Sequence, residues 1–285
     1  MTEITRNYAD MCGLIVHYLS AGQGDAVVLL HGVPQTSYEW RHIIPVLARH
    51  YSVIAPDLRG LGETSRPAGG FDKRTIAADV WSLVHTHLGH TRFFVAGHDW
   101  GGPVAFSLAA QHPDAVRRLA ILDVVIPGDG GDFSQGGRRW HHALFQTLDL
   151  PEALFADRAE LLLTWFFDTY GYIPNSVTEE DKREYLRTYS KPGALRSMFG
   201  FYRALAQDAA DNLALLGGGK LKMPVLALGG DRSFGRGMEP LESLRRVAED
   251  VRGGLIPDCG HWVAEEQPAF VADQLIRFFG EDPEP

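Results

Sequence analysis

Apolar runs the length of single strands recur through the first part of the chain, at Leu14 to Leu19, Val27 to Leu30, Val53 to Ala55, Phe93 to Ala96 and Leu119 to Leu122. Helical patterns lie between the later ones. In Ile76 to Leu88, for example, Ile76, Val80, Leu83, Val84 and Leu88 approximate one buried face. Strands that alternate with helices predict a largely parallel sheet covered on both sides, and few other layouts would bury such runs. The runs resume late, at Val225 to Leu228 and Leu255-Ile256, followed by an amphipathic pattern through Phe270, Val271, Leu275 and Phe278. The stretch between differs. Gly128 to Gly137 reads as a loop, the rest carries aromatic helical patterns without strands, and Gly217-Gly218-Gly219 marks its exit. The predicted organisation is an α/β core in two parts, 1-125 and 221-285, with a helical cap inserted at 126-220. A length of 285 residues suits one such unit.

At Gly97-His98-Asp99-Trp100-Gly101-Gly102, an aspartate falls between the predicted strand Phe93 to Ala96 and a helical stripe of Val104, Ala105, Leu108 and Ala109. Glycines on both sides permit a sharp turn. Such a turn lifts one side chain above the sheet, the arrangement of a nucleophile elbow. The bland reading is a turn aspartate, a common residue where chains reverse. The chemical reading is a nucleophile: an ionised carboxylate needs no base to activate it and can attack a saturated carbon to leave an ester.

Composition narrows the field. A formal charge of -9 argues against a nucleic-acid surface. Cys12 and Cys259 are too few for a disulfide framework and are not spaced for zinc. No apolar leader or membrane-length run is present, so a cytoplasmic location is expected.

Other residues give Asp99 its company. His31-Gly32-Val33-Pro34 follows a strand-sized run, where the Val33 amide would form one half of an oxyanion hole and the Trp100 amide the other. These donors would stabilise the anion formed when water attacks an Asp99 ester. His261, in Cys259-Gly260-His261-Trp262 before the last helix, comes last in chain order, as the base does in this arrangement. With an ordinary pKa near 6.5, a histidine can take a proton from water at neutral pH. Two carboxylates compete to orient it, Asp123 after Leu119 to Leu122 and Asp231 after Val225 to Leu228. Asp123 is favoured, and Asp231 stays open.

Together these motifs resemble the α/β-hydrolase fold, and within it the epoxide hydrolases and their relatives, the haloalkane and fluoroacetate dehalogenases. The resemblance covers nearly the whole chain. It runs through His31-Gly32-Val33-Pro34-Gln35, Asp57-Leu58-Arg59-Gly60-Leu61-Gly62, the elbow, Trp140-His141-His142 before Asp149-Leu150-Pro151-Glu152, Phe201-Tyr202-Arg203-Ala204 and Gly260-His261-Trp262. It implies an enzyme without cofactor or metal, in which Asp99 attacks an epoxide carbon, a cap tyrosine matched by Tyr202 protonates the oxygen, and His261-activated water cleaves the ester. Where many epoxide hydrolases carry a second cap tyrosine, His141 and His142 stand here. The expected binding residues are Val33, Trp100, Trp140, His141 and His142.

Departures from the dehalogenases favour an epoxide. Val33 stands where many haloalkane dehalogenases have a halide-binding asparagine, and Trp100 and Pro103 stand where fluoroacetate dehalogenases have arginines. Asp123, in Leu122-Asp123-Val124, resembles the fluoroacetate dehalogenase placement of the acid. The expected partner is a small, largely apolar epoxide, and a homodimer is compatible with the sequence. A haloalkane dehalogenase-like hydrolase and a non-catalytic ligand-binding protein on the same scaffold are the alternatives.

Overall fold

In the computed structural model, which describes residues 3–281, the strand runs build a single twisted sheet. Its eight strands among the described residues are β1 (Thr5–Met11), β2 (Leu14–Ala21), β3 (Ala26–Leu30), β4 (Ser52–Pro56), β5 (Phe93–His98), β6 (Val116–Leu122), β7 (Val225–Gly230) and β8 (Val251–Ile256). They lie side by side in the order β1-β2-β4-β3-β5-β6-β7-β8. β1 and β2, and β2 and β4, pair antiparallel; all other neighbours are parallel. β1 is absent from the predicted strands because it is a mostly exposed edge strand with Thr5, Arg6, Asn7 and Asp10 in place of an apolar run. A two-residue turn at Cys12 and Gly13, both with positive φ, folds it onto β2.

The α-helices are α1 (Ile44–Leu47), α2 (Lys73–Trp81), α3 (Gly101–Gln111), α4 (His141–Gln146), α5 (Leu150–Phe155), α6 (Ala159–Tyr170), α7 (Glu179–Tyr189), α8 (Ala194–Arg203), α9 (Leu205–Leu216), α10 (Glu239–Val247), α11 (Val263–Glu266) and α12 (Pro268–Phe279). The predicted helix from Ile76 to Leu88 is α2 followed by a wider π-helical segment, Ser82–His87, in which Leu83 and Val84 are fully buried.

Strand alternation sends side chains to two cores. Val27, Leu29, Phe94 and Leu122 pack on one face with α1 and with Val271, Leu275 and Phe278 of α12. Val28, Leu30, Val95 and Ile121 pack on the other with α2, α3 and α10. Burying each large aliphatic or aromatic side chain contributes roughly 1.5–3 kcal/mol, so the two cores fix the sheet as a rigid platform. No helix among the described residues is long and apolar enough to cross a membrane.

Between β6 and β7 the chain leaves the sheet for six helices, α4 to α9. A buried ion pair ties this insertion to the platform. Lys73, at the start of α2, places Nζ 2.8 Å from Asp208 Oδ2 on α9 and donates to the Phe201 carbonyl on α8 at 2.7 Å. The same ammonium lies 4.1 Å from the centre of the Trp100 ring, a cation–π contact across the joint.

Polar groups buried at the strand ends pin the loops there. Asp57, just past β4, accepts from His17 Nδ1 at 2.7 Å and from the amides of Ser37 and Glu63, both at 2.8 Å. Burial alone would raise its pKa, but the His17 hydrogen bond, the neighbouring His31 and His17 rings and the Glu63 amide hold it at about 2. His31 accepts the Leu58 amide at Nε2 (2.9 Å) and donates from Nδ1 to the Gly32 carbonyl (2.8 Å). Behind the β5 turn, His98 faces an acceptor at each ring nitrogen, Glu39 Oε2 at 3.4 Å and the His261 carbonyl at 2.8 Å. Two acceptors call for two N–H donors, so His98 is an imidazolium. Burial opposes this charge; the charge and hydrogen bond of Glu39, with the charges of Asp99 and Asp123, override it and push the His98 pKa up to about 9.

Two outcomes follow from these pins. Asp57→Ala leaves a buried imidazole and two amides without their acceptor, and urea unfolding is expected to register a loss of about 3 kcal/mol. His98 titrates near 6.5 when unfolded and near 9 when folded, so its stabilising contribution is full below pH 6.5 and lost as pH rises through 9. Stability measured across that interval is expected to decline in the natural protein and to decline less in Glu39→Gln.

Candidate active site

Asp99 is the first residue beyond β5 and takes a left-handed φ of 45°. Its amide donates to the Leu122 carbonyl and its carbonyl accepts from the Gly102 amide in the first turn of α3. The turn needs glycine because a Cβ on Gly101 would collide with the Leu30 carbonyl of the neighbouring strand. Across from it, a Cβ on Gly32 would strike the Asp99 side chain. With no side chain between them, the loop after β3 closes onto the carboxylate, and the Val33 amide donates to Asp99 Oδ1 at 2.9 Å. Trp100 caps α3, where helix geometry leaves its amide without a carbonyl partner in its own helix.

The other oxygen faces the loop after β8. His261 Nε2 lies 3.4 Å from Asp99 Oδ2, and His261 Nδ1 donates to Asp123 Oδ2 at 2.6 Å. Asp123, beyond β6 with φ 51°, is fully buried, and its Oδ1 accepts the amides of Gly230 (2.9 Å) and Arg236 (2.7 Å). Burial opposes ionisation of both carboxylates. For Asp99, the hydrogen bond and charge of His261, the His98 charge and the Val33 amide more than offset it and hold the pKa far below the usual carboxylate range. For Asp123, the same two His261 contributions, with the Arg139 charge and the Arg236 amide, also lower it. Asp231, the competing candidate, does not reach His261; its Oδ1 instead accepts the Cys259 amide at 3.3 Å.

The insertion closes a cavity over this group. Val33, Pro34, Asp99, His261 and Trp262 form its floor. Arg139, His141, Phe145 and Phe166 wall one part, and Tyr170, Met198 and Tyr202 the rest. Between these walls there is room for about one water molecule. Tyr202 is buried against Trp100, ring centres 5.0 Å apart and edge-to-face, and against Phe145 at 5.1 Å. Burial first, then the Asp99 charge, push its pKa well above the ordinary tyrosine value, so the phenol keeps its proton.

His141 and His142 part company. His141 lies on the cavity wall with Nδ1 3.0 Å from the Tyr170 hydroxyl; burial, His142 and Arg139 hold its pKa well below 6.5. His142 packs behind the wall between Phe133 (5.1 Å) and Tyr202 (5.5 Å), its pKa lowered to about 3 by burial, Arg139 and Arg236. Trp140 is a correction to the expected binding set. Its ring is 43% exposed and rests against Trp165 on the outside, because α4 turns His141 and Phe145 inward and leaves the residue before them facing out. The Trp100 ring likewise packs against Tyr202 and does not line the cavity.

Sequence reasoning missed Tyr170, Arg139 and Met198. Arg139 directly precedes the Trp140-His141-His142 motif, which is the one signal that could have pointed to it. Its Nε and Nη2 donate to Gln135 and to the Phe234 carbonyl.

Comparison with known proteins identifies the fold and its relatives. Residues 25–268 match the family model described as the alpha/beta hydrolase fold. The chain is 45% identical to a soluble epoxide hydrolase of Corynebacterium sp. (strain C12), over 98% of both proteins. It is 32% identical to a fluoroacetate dehalogenase of Burkholderia sp, over 70% of this chain and 68% of that protein. The solved structure of the epoxide hydrolase CorEH without ligand superposes with a TM-score of 0.90 at 43% identity, covering 98% of this chain and 99% of that one. By its fold, its matched length and these relatives, the chain belongs to the α/β-hydrolase family, in its epoxide hydrolase branch.

Proposed function

We propose that this protein hydrolyses a small, largely apolar epoxide to a vicinal diol through an ester on Asp99, with 126-220 serving as the cap that encloses the substrate. The observation that carries this reading is the asymmetry of the Asp99 carboxylate, with Oδ1 on the Val33 amide and Oδ2 facing His261. Oδ2 attacks one epoxide carbon, and the C–O bond of the ring at that carbon breaks as the new ester bond forms. The strained ring oxygen leaves as a strongly basic alkoxide, so a phenol that has kept its proton is a competent acid. Tyr202 supplies that proton, and His141 on the same wall donates a hydrogen bond to the oxygen.

In the second step His261, oriented by Asp123, takes a proton from water, and the oxygen of that water attacks the Asp99 carboxyl carbon. Negative charge then gathers on Oδ1, which already sits on the Val33 amide, and the Trp100 amide at the start of α3 supplies the second donor. Collapse expels the diol with Oδ2, protonated from His261. The remaining water proton restores the tyrosine, and the water oxygen stays in the carboxylate. Summed over both steps, one epoxide and one water give one diol.

A haloalkane would share the first step and release halide, so the assay includes both substrate classes. Epoxide turnover is expected in the natural protein; halide release without it would overturn the reading in favour of a dehalogenase, and tight binding without turnover of either would favour a ligand-binding protein. Asp99→Ala is expected to abolish turnover, by about 10⁴-fold or more. His261→Gln should stall at the ester, seen as a mass increase equal to that of the epoxide on the intact protein. Tyr202→Phe is expected to slow ester formation by about 100-fold. In heavy-oxygen water a single turnover should place the label in Asp99 and none in the diol; the reverse would exclude the covalent route.

A further inference from the structure

Tyr170 has no part in the steps above, yet it lies on the same cavity wall and is 1% exposed. Its hydroxyl is 3.0 Å from His141 Nδ1, and one hydrogen occupies that line. In one placement the phenol donates to the Nδ1 lone pair; in the other Nδ1–H donates to the phenol oxygen. The second placement would leave the phenol hydrogen to find another acceptor, and no other hydrogen bond of the hydroxyl is present among the described residues. It would also leave a bare lone pair on Nε2 of a ring that lines the cavity. An epoxide oxygen only accepts hydrogen bonds, so that lone pair would repel it. The first placement puts every hydrogen to use, because a neutral ring that accepts at Nδ1 carries its hydrogen on Nε2.

We propose that Tyr170 is a positioning residue, which, by donating to His141 Nδ1, fixes the ring orientation and the Nε2–H tautomer so that His141 and Tyr202 present two donors to the epoxide oxygen. This rests on the proposed epoxide chemistry. His141 is buried beside His142 and Arg139, which keep the ring neutral, so tautomer and orientation are what remain to be set. Tyr170 itself is immobilised. Its ring stacks on Phe234 with centres 4.2 Å apart, and its carbonyl accepts the His261 amide at 3.0 Å. The residue that orients the proposed acid thus also anchors the loop of the proposed base.

The test begins with a readout that needs no substrate. Long-range proton–nitrogen spectra of the natural protein with labelled imidazoles, assigned through His141→Gln, should find Nδ1 of His141 unprotonated and Nε2 protonated; the opposite tautomer overturns the proposal. Tyr170→Phe keeps the ring packing and removes only the hydroxyl. Single-turnover kinetics should then give ester formation slowed about tenfold, with ester hydrolysis unchanged. In a His141→Gln background the same substitution should have no further effect on ester formation. Equal slowing in both backgrounds would mean that Tyr170 acts on the substrate directly, and unchanged ester formation in Tyr170→Phe would mean that it orients nothing; either result overturns the proposal. Absence of epoxide turnover in the natural protein would instead defeat the proposed function, a failure that the tautomer measurement keeps separate.

Discussion

A single hydrogen bond, from the Val33 amide to Asp99 Oδ1, makes the two oxygens of one carboxylate unlike. A carboxylate in water has two equivalent oxygens. Here one is committed to a backbone donor before any substrate arrives, and the other is left facing His261. In the proposed cycle this division assigns the nucleophilic atom and the oxyanion in advance, so no donor has to reorganise when charge develops. Much of the surrounding structure serves to hold that bond. Gly32 lets the loop approach, His31 ties the loop to Leu58, and the left-handed turn at Asp99 aims the side chain at it.

The platform beneath is unusually rich in buried charge. His98 with Glu39 and Lys73 with Asp208 each lie at the C-terminal edge of the sheet or at its joint with the insertion. Buried ion pairs are a poor route to stability, because desolvation consumes most of their attraction, but breaking one is costly. Their value here is geometric. Each joins segments far apart in sequence, and the His98 imidazolium also places a fixed positive charge behind the Asp99 carboxylate.

The sequence made some of this legible because local chemistry and position coincided. Asp99, bracketed by Gly97 and Gly101, and His261, preceded by Gly260, were readable since each lies between a strand run and a helix. The parallel sheet was readable from runs such as Val27 to Leu30, which are apolar on both faces. Choosing between Asp123 and Asp231 was harder because both end neighbouring parallel strands. What separates them in space is the pair of amides, from Gly230 and Arg236, that turns the Asp123 carboxylate toward His261. Tyr170 and Met198 gave no signal, since which face of an aromatic-rich helix looks into a cavity is decided by packing against other helices. The same rotation that carries His141 inward carries Trp140 out. β1 escaped notice because an edge strand is held by backbone bonds and needs no apolar stripe.

The cavity, with room for about one water molecule between its side chains, is narrower than a largely apolar epoxide that would occupy it. A guest therefore reaches the carboxylate only after side chains such as Met198 and Phe166, or the helices that carry them, have moved aside. Selection among substrates then begins at the door. Two epoxides of equal intrinsic reactivity will differ in kcat/KM when one demands the wider opening, and a slow opening or product exit, rather than the bond-making steps, can set the pace of the whole cycle.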